Sequence, residues 1–211
     1  MVYDTQALKN IYKEYANINQ KICLDTKNGK LIRIKRGLYS DDIKKDGPVI
    51  ANVCYSPSYL SFEYALSYYG LIPEYVSMYT SATYSKKNNK KYQLKDICFE
   101  YRSVPDQVFS KGVAFLKNEN GIRYKIATKE KALCDLLYSK YPVRSVHDLK
   151  IMLFEDLRID EEEFNKLDFA FIKEIANEYH CNTLYSLIKY INEEIKKNDS
   201  NRRNDYWTSH D

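Results

Sequence analysis

Glycine is scarce in this chain of 211 residues. The six glycines are not clustered, so no loop cradles phosphate through its backbone N–H groups in the way nucleotide-binding motifs do. No G-x-S-x-G and no H-E-x-x-H occurs, which removes the common serine-hydrolase and zinc-protease signatures. The five cysteines (Cys23, Cys54, Cys98, Cys134, Cys181) are widely spaced and include no C-x-x-C pair. They are expected to be reduced thiols of a cytoplasmic protein, most of them acting as small hydrophobes, and no zinc site is expected. The three histidines (His147, His180, His210) stand apart. No catalytic residue, metal or cofactor is therefore expected. Met1-Val2-Tyr3-Asp4 offers no charged start and apolar run, so no signal peptide is expected. No apolar run approaches the roughly 20 residues needed to cross a membrane.

What is present is a charge asymmetry. The net charge of +4 divides into +4 over residues 1–46, +5 over 47–134 and −5 over 135–211. A basic front and an acidic back suit a chain whose N-terminal part meets phosphate. An ordinary solvated surface fits the modest total nearly as well, and the 21 tyrosines carry no functional signal by themselves.

The segment Lys30-Leu31-Ile32-Arg33-Ile34-Lys35-Arg36-Gly37-Leu38-Tyr39 nearly alternates apolar and basic residues until Gly37 breaks the run. In an extended chain this places Leu31, Arg33 and Lys35 on one side, and Ile32, Ile34 and Arg36 on the other. Two helical stretches precede it. Leu8, Ile11, Tyr12 and Tyr15 recur at helical spacing behind Asp4, whose carboxylate can cap the first turn. Ile18, Ile22 and Cys23 line a second helix that stops at Asn28-Gly29. Helix, helix and basic hairpin in this order is how a winged helix-turn-helix presents itself, and it points to DNA. Asn19, Gln20 and Lys21 open the second helix, where base edges are met: Asn and Gln suit adenine, Lys suits guanine. Lys27, Lys30, Arg33, Lys35 and Arg36 are the candidate phosphate contacts.

Farther on, the charged stretch 41–48 reads as a linker, and Val49–Tyr55 as an apolar helix. Ser56-Pro57-Ser58 reads as a stop and a new helix start, with Tyr59, Leu60, Phe62, Ala65, Leu66 and Tyr69 along an amphipathic helix ended by Gly70. Val76–Thr83, Ile97–Val104, Gly112–Leu116 and Ile122–Ala127 read as strands, the last two turned through Asn120-Gly121, with Lys86–Lys91 a basic tip. Thr128 caps a helix through Leu137, and Ser145 and Asp160 open capping boxes. The stripes Phe164–Tyr179 and Leu184–Ile195 read as core. Glu130, Lys131 and Asp135 imitate a nuclease-like acid and lysine set. On a helix, however, Glu130 and Asp135 are five positions apart and do not converge on one ion unaided.

Three segments together resemble the antitoxins of the AbiE type, the AbiEi family. They are Arg36-Gly37-Leu38-Tyr39; the run from Ser56 to Pro73 followed by Tyr79-Thr80-Ser81-Ala82-Thr83; and the run from Tyr124 to Leu137. The resemblance spans roughly residues 17–140. It implies an N-terminal winged helix that binds operator DNA upstream of its own operon and represses it. It also implies a C-terminal domain that counters a cognate nucleotidyltransferase toxin without forming a stable complex. The family's module usually has three helices before the wing, and this chain has room for two; such a module could bind weakly, need a homodimer, or have become a docking surface. Ser58, Ser61, Glu63, Lys129, Glu130 and Asp135, the polar members of the matching segments, are the candidates for antitoxin function.

The expected fold class is thus α+β. A short winged helix-turn-helix (1–46) precedes a mixed α/β domain (47–197) with a small antiparallel sheet and a helical C-terminal half, and residues 198–211 form a disordered tail. The competing expectation is an antitoxin or adaptor acting through protein contacts alone, with a vestigial winged helix. Neither reading involves a membrane.

Overall fold

The computed structural model describes residues 1–86 and 88–208, with side chains followed as far as Ile195. It is a mixed α and β structure with a three-stranded and a six-stranded sheet.

The N-terminal segment opens with β1 (Val2–Asp4) and α1 (Thr5–Ile11), and the Asp4 carboxylate accepts the Ala7 N–H at 2.7 Å as its cap. The second helix, α2 (Ile18–Lys27), is capped by Asn17, which accepts the Gln20 N–H at 3.0 Å. Gly29, at φ +74°, ends it in the left-handed conformation that favours glycine. Strand β2 (Ile32–Lys35) and β3 (Leu38–Ser40) follow, and the sheet order is β1-β3-β2, antiparallel throughout. One small core, Leu8, Ile22 and Leu31, lies under α1 and α2, while Val2, Ile32 and Ile34 pack on the main core of the chain. The alternation expected for β2 holds, since Ile32 and Ile34 are half-buried and Arg33 and Lys35 exposed. Arg36 falls beyond the strand, and a register shift between Arg33 and Lys35 kinks the hairpin.

The stretch expected as a linker is pinned. Asp46 is fully buried and accepts hydrogen bonds from Ser40 Oγ (2.8 Å) and from the side-chain amides of Asn118 and Asn120. From there α3 (Gly47–Cys54) leads into β4 (Ser58–Leu60), α4 (Phe62–Tyr68), β5 (Tyr79–Thr83), β6 (Lys90–Leu94), β7 (Ile97–Ser103), β8 (Val113–Lys117) and β9 (Arg123–Ala127). The helical half comprises α5 (Lys129–Ser139), α6 (Val146–Lys150), a π-helical segment (Ile151–Asp156), α7 (Glu161–Asn165), α8 (Phe169–Ala176) and α9 (Asn182–Thr208).

Two expectations that concern the larger sheet are corrected. The sheet is neither small nor purely antiparallel: its order is β6-β7-β5-β4-β9-β8, and β5 with β7 and β4 with β9 run parallel. Tyr59 and Leu60 are strand rather than helix. Pro57 has no N–H to give a ladder, which a strand tolerates at its start, and the three residues after it pair with Ser81–Thr83. The helix begins only at Phe62, behind Ser61. The expected caps Thr128, Ser145 and Asp160 accept the N–H groups of Lys131, Asp148 and Glu163. Both C-terminal stripes are core, through Phe164, Leu167, Ile175, Tyr179, Leu184, Leu187 and Ile191. The segment expected as a tail from residue 198 is helical to Thr208 as part of α9, and residues 209–211 lie outside the described residues.

Candidate functional site

Two places gather the sequence-selected residues. The first is a groove of about 290 Å³ between α2 and the β2–β3 hairpin. Asn19 and Lys27 from α2 and Arg33 from β2 line it, with Thr5, Ile22, Cys23, Thr26 and Tyr39 as its floor and walls. The three polar candidates converge because Asn19 and Lys27 lie two turns apart on one helix face, opposite the outward face of β2. Lys30 and Arg36 are exposed at either end of the strand.

The remaining candidates of this segment are committed elsewhere. Lys21 pairs with Asp25 at 2.8 Å and lies over the rings of Tyr12 and Tyr15 (5.6 and 5.1 Å), so its ammonium braces α2 against α1. Gln20 lies on the flank of α2 away from the groove, in a shallow cleft with Tyr15, Lys21 and Leu24. Lys35 donates to the carbonyls of Val53 and Cys54, both at 2.9 Å. It thus satisfies the free carbonyls at the end of α3 and ties the hairpin to the rest of the chain.

Asp25 gives the segment a pH dependence. Its carboxyl is held below its ordinary 3.8 by hydrogen bonds from Lys21 and from Tyr12 Oη (2.7 Å), against the opposing effect of burial. A carboxylate whose folded value lies below its unfolded one stabilises fully above about pH 3.8 and loses that contribution as the pH falls through the lowered value. Acid titration of tyrosine fluorescence is therefore expected to report loosening of the α1–α2 segment below pH 3.8, and Asp25→Asn to remove that step. A step that survives Asp25→Asn would assign it to another group.

The second place is a buried polar centre under α5. Asp135 and Lys131 are both fully buried and paired at 2.7 Å, one helical turn apart. The carboxylate also accepts the hydroxyls of Ser61 (2.7 Å), Tyr59 (3.0 Å) and Tyr179 (2.5 Å), so both oxygens are doubly bonded. The Lys131 ammonium donates to Tyr179 Oη as well, and sits 5.6 and 4.8 Å from the centroids of the Tyr59 and Tyr179 rings. Burial, then the Asp135 charge, pushes both phenols well above their ordinary 10.0. The centre joins β4, the start of α4, α5 and the turn after α8 into one unit.

Of the six antitoxin candidates, only Ser61 and Asp135 meet here. Ser58 Oγ donates to the carbonyls of Ala51 and Asn52. Glu63 accepts two hydrogen bonds from Arg102 (3.0 and 2.9 Å), which also holds Glu100, and pairs with Lys140 at 3.5 Å. Glu130 accepts the Asp168 N–H at 3.3 Å, and Lys129 reaches the Lys166 carbonyl at 3.5 Å. Glu130 and Asp135 thus serve different partners, as their helical spacing predicts. Sequence reading missed Tyr59 and Tyr179, which join Asp135 from 76 and 44 positions away. The available signal was Lys131 and Asp135, two opposite charges at i and i+4 inside the apolar run of α5. Among the described residues no group of three or more His, Cys, Asp or Glu side chains could hold a metal ion.

Comparison with known proteins gives no family model that matches this chain and no curated protein that matches it.

Proposed function

We propose that this chain is an antitoxin and autorepressor of the AbiEi kind. Its winged helix binds operator DNA upstream of its own operon, and the remainder of the chain counters a nucleotidyltransferase toxin. The observation that carries the reading is the basic groove between α2 and the hairpin. A second helix enters the major groove with its first turns while the adjacent hairpin holds the backbone. Asn19 opens α2, and Lys27 and Arg33 flank the space a sugar-phosphate strand would occupy. The β1-β3-β2 order and the two helices before the hairpin further support a winged helix that lacks a leading helix.

With Lys35 engaged at α3, the cations left to neutralise phosphate are Lys27, Lys30, Arg33 and Arg36. The slope of log K against log salt on duplex DNA is then about −3 to −4 per protomer, at roughly −0.9 per contact. Arg33→Ala with Arg36→Ala is expected to flatten that slope by about 2 and to weaken binding to any duplex. The same variant in cells that carry the neighbouring toxin gene is expected to lose repression while growth is still rescued. Undiminished binding to the upstream DNA would refute the assignment.

One observation favours action through protein contacts alone. Ile11 at the end of α1, Tyr15 in the turn after it and Leu24 on α2 are each about half exposed, and Tyr15 and Leu24 line a shallow cleft of about 340 Å³. Exposed apolar side chains such as Tyr15 and Leu24 about one cleft suit a protein partner or a second copy. On that reading Leu24→Asp abolishes rescue of growth, and the full chain binds no DNA.

A further inference from the structure

The hairpin β8–β9 closes one edge of the six-stranded sheet, and its two faces differ sharply. Tyr124 and Ile126 are buried on one side, whereas Phe115, Lys117, Arg123 and Lys125 are exposed on the other. Register places Phe115 opposite Lys125 and Lys117 opposite Arg123. Phe115 is 64% exposed, an unusual position for a phenylalanine in the middle of a strand. The Lys125 ammonium lies 5.9 Å from its ring centroid. Among the described residues, none of Lys117, Arg123 and Lys125 has a carboxylate within salt-bridge distance. Glu119 in the connecting turn is turned to Lys45.

Phe115 also divides two clefts. One, of about 200 Å³, runs towards Tyr59, Phe109 and Ser110. The other, of about 240 Å³, runs towards Asn52, Ser56 and Arg123. Both are smaller than the pockets that take drug-sized ligands and suit one planar ring each. Asn52 fixes the strand beneath them, donating to the Lys125 carbonyl (3.2 Å) and accepting the Lys125 N–H. The ring therefore stands on a firm support, with a cleft on either side and three unpaired cations around it.

We propose that this face binds single-stranded nucleic acid, stacking unpaired bases against Phe115 and placing their phosphates on Lys117, Arg123 and Lys125. An aromatic ring on a strand, surrounded by cations, is the combination that holds single strands without reading sequence. The next cation pair lies two residues along the strand, about 7 Å from Phe115, a step comparable to one extended nucleotide. A duplex fits less well, because its base faces are already stacked within the helix and it offers this ring only edges and phosphates. The surface shares no residue with the α2 groove, so the two readings stand or fall separately.

Fluorescence anisotropy of the full chain with labelled oligouridylate and oligothymidylate, and with a blunt duplex of equal length, tests the proposal. Either single strand is expected to bind in a way that depends on Phe115, whereas duplex binding, which the α2 groove supplies, is expected to be indifferent to Phe115→Ala. Phe115→Ala is expected to weaken single-strand binding on the order of ten- to a hundredfold, and Phe115→Trp to preserve it. Changing Lys117, Arg123 and Lys125 to Gln flattens the salt slope by about 0.7 per cation, whereas Arg33→Ala leaves single-strand binding unchanged. Because Phe115 is exposed, its variants keep the parent melting curve. Single-strand affinity that ignores Phe115→Ala but falls with Arg33→Ala would overturn the proposal. So would preference for an extended acidic peptide over either nucleic acid, which would mark strand addition at the β8 edge instead.

Discussion

Asp135→Ala is expected to lower the free energy of unfolding by about 3–5 kcal/mol, the usual consequence of leaving one member of a buried ion pair alone. The deletion strands the Lys131 ammonium at a fully buried position, where among the described residues no other carboxylate pairs with it. It also removes the acceptor shared by three hydroxyls, those of Ser61, Tyr59 and Tyr179. A domain of ordinary stability holds about 5–15 kcal/mol, so the variant should unfold at a far lower urea midpoint. Lys131→Met is expected to be milder, because the carboxylate keeps three hydroxyl donors and the new side chain still packs between two tyrosine rings. The pair is not additive: the double variant should unfold at a lower cost than the sum of the single changes, since each partner's loss is already felt in the other's. A loss below about 1 kcal/mol for Asp135→Ala would mean that water or a rearranged neighbour satisfies Lys131.

That centre also marks where the sequence stops being informative. Caps could be read directly, because Asp4, Thr128, Ser145 and Asp160 act on N–H groups three positions ahead. The alternation of β2 and the apolar stripes of α8 and α9 were equally local. The two parallel pairings were not, since β4 with β9 and β5 with β7 join strands far apart in sequence and leave no turn signature. Strand β4 was hidden for another reason: three residues are too few to show a period, and the proline before them suits a helix start as well. Among site residues, Arg33 and Lys27 were legible as exposed cations. Lys21 and Lys35 had the same local signal, yet Asp25 one turn along α2 takes the Lys21 ammonium, and the carbonyls at the end of α3 take that of Lys35. Ser58, Glu63 and Glu130 met the same outcome. A polar side chain's type and spacing give its chemistry, while its occupancy depends on contacts that only the fold supplies.

Gly47→Ala is expected to destabilise the chain by about 1–2 kcal/mol net, opposite in sign to the ordinary effect at such a position. Alanine in place of glycine in a helix normally gains up to about 1 kcal/mol from propensity, and Gly47 lies in the first turn of α3 at an unstrained φ. Here, however, a Cβ would stand 2.1 Å from Tyr79 Oη and 2.2 Å from its ring. The ring has little room to retreat. It stacks on Phe99 at 5.2 Å and packs against Tyr64 at 4.9 Å, so it can move only by shifting two other aromatic rings. Overfilling a packed site of this kind costs about 1–3 kcal/mol and occasionally more, which exceeds the propensity gain. Urea unfolding of Gly47→Ala measures the net effect, and Tyr79→Leu provides the control. With the phenol gone the alanine fits, so adding Gly47→Ala to a Tyr79→Leu background should be neutral or stabilising. Equal costs in both backgrounds would place the obstruction in the α3 backbone rather than in the ring that faces it.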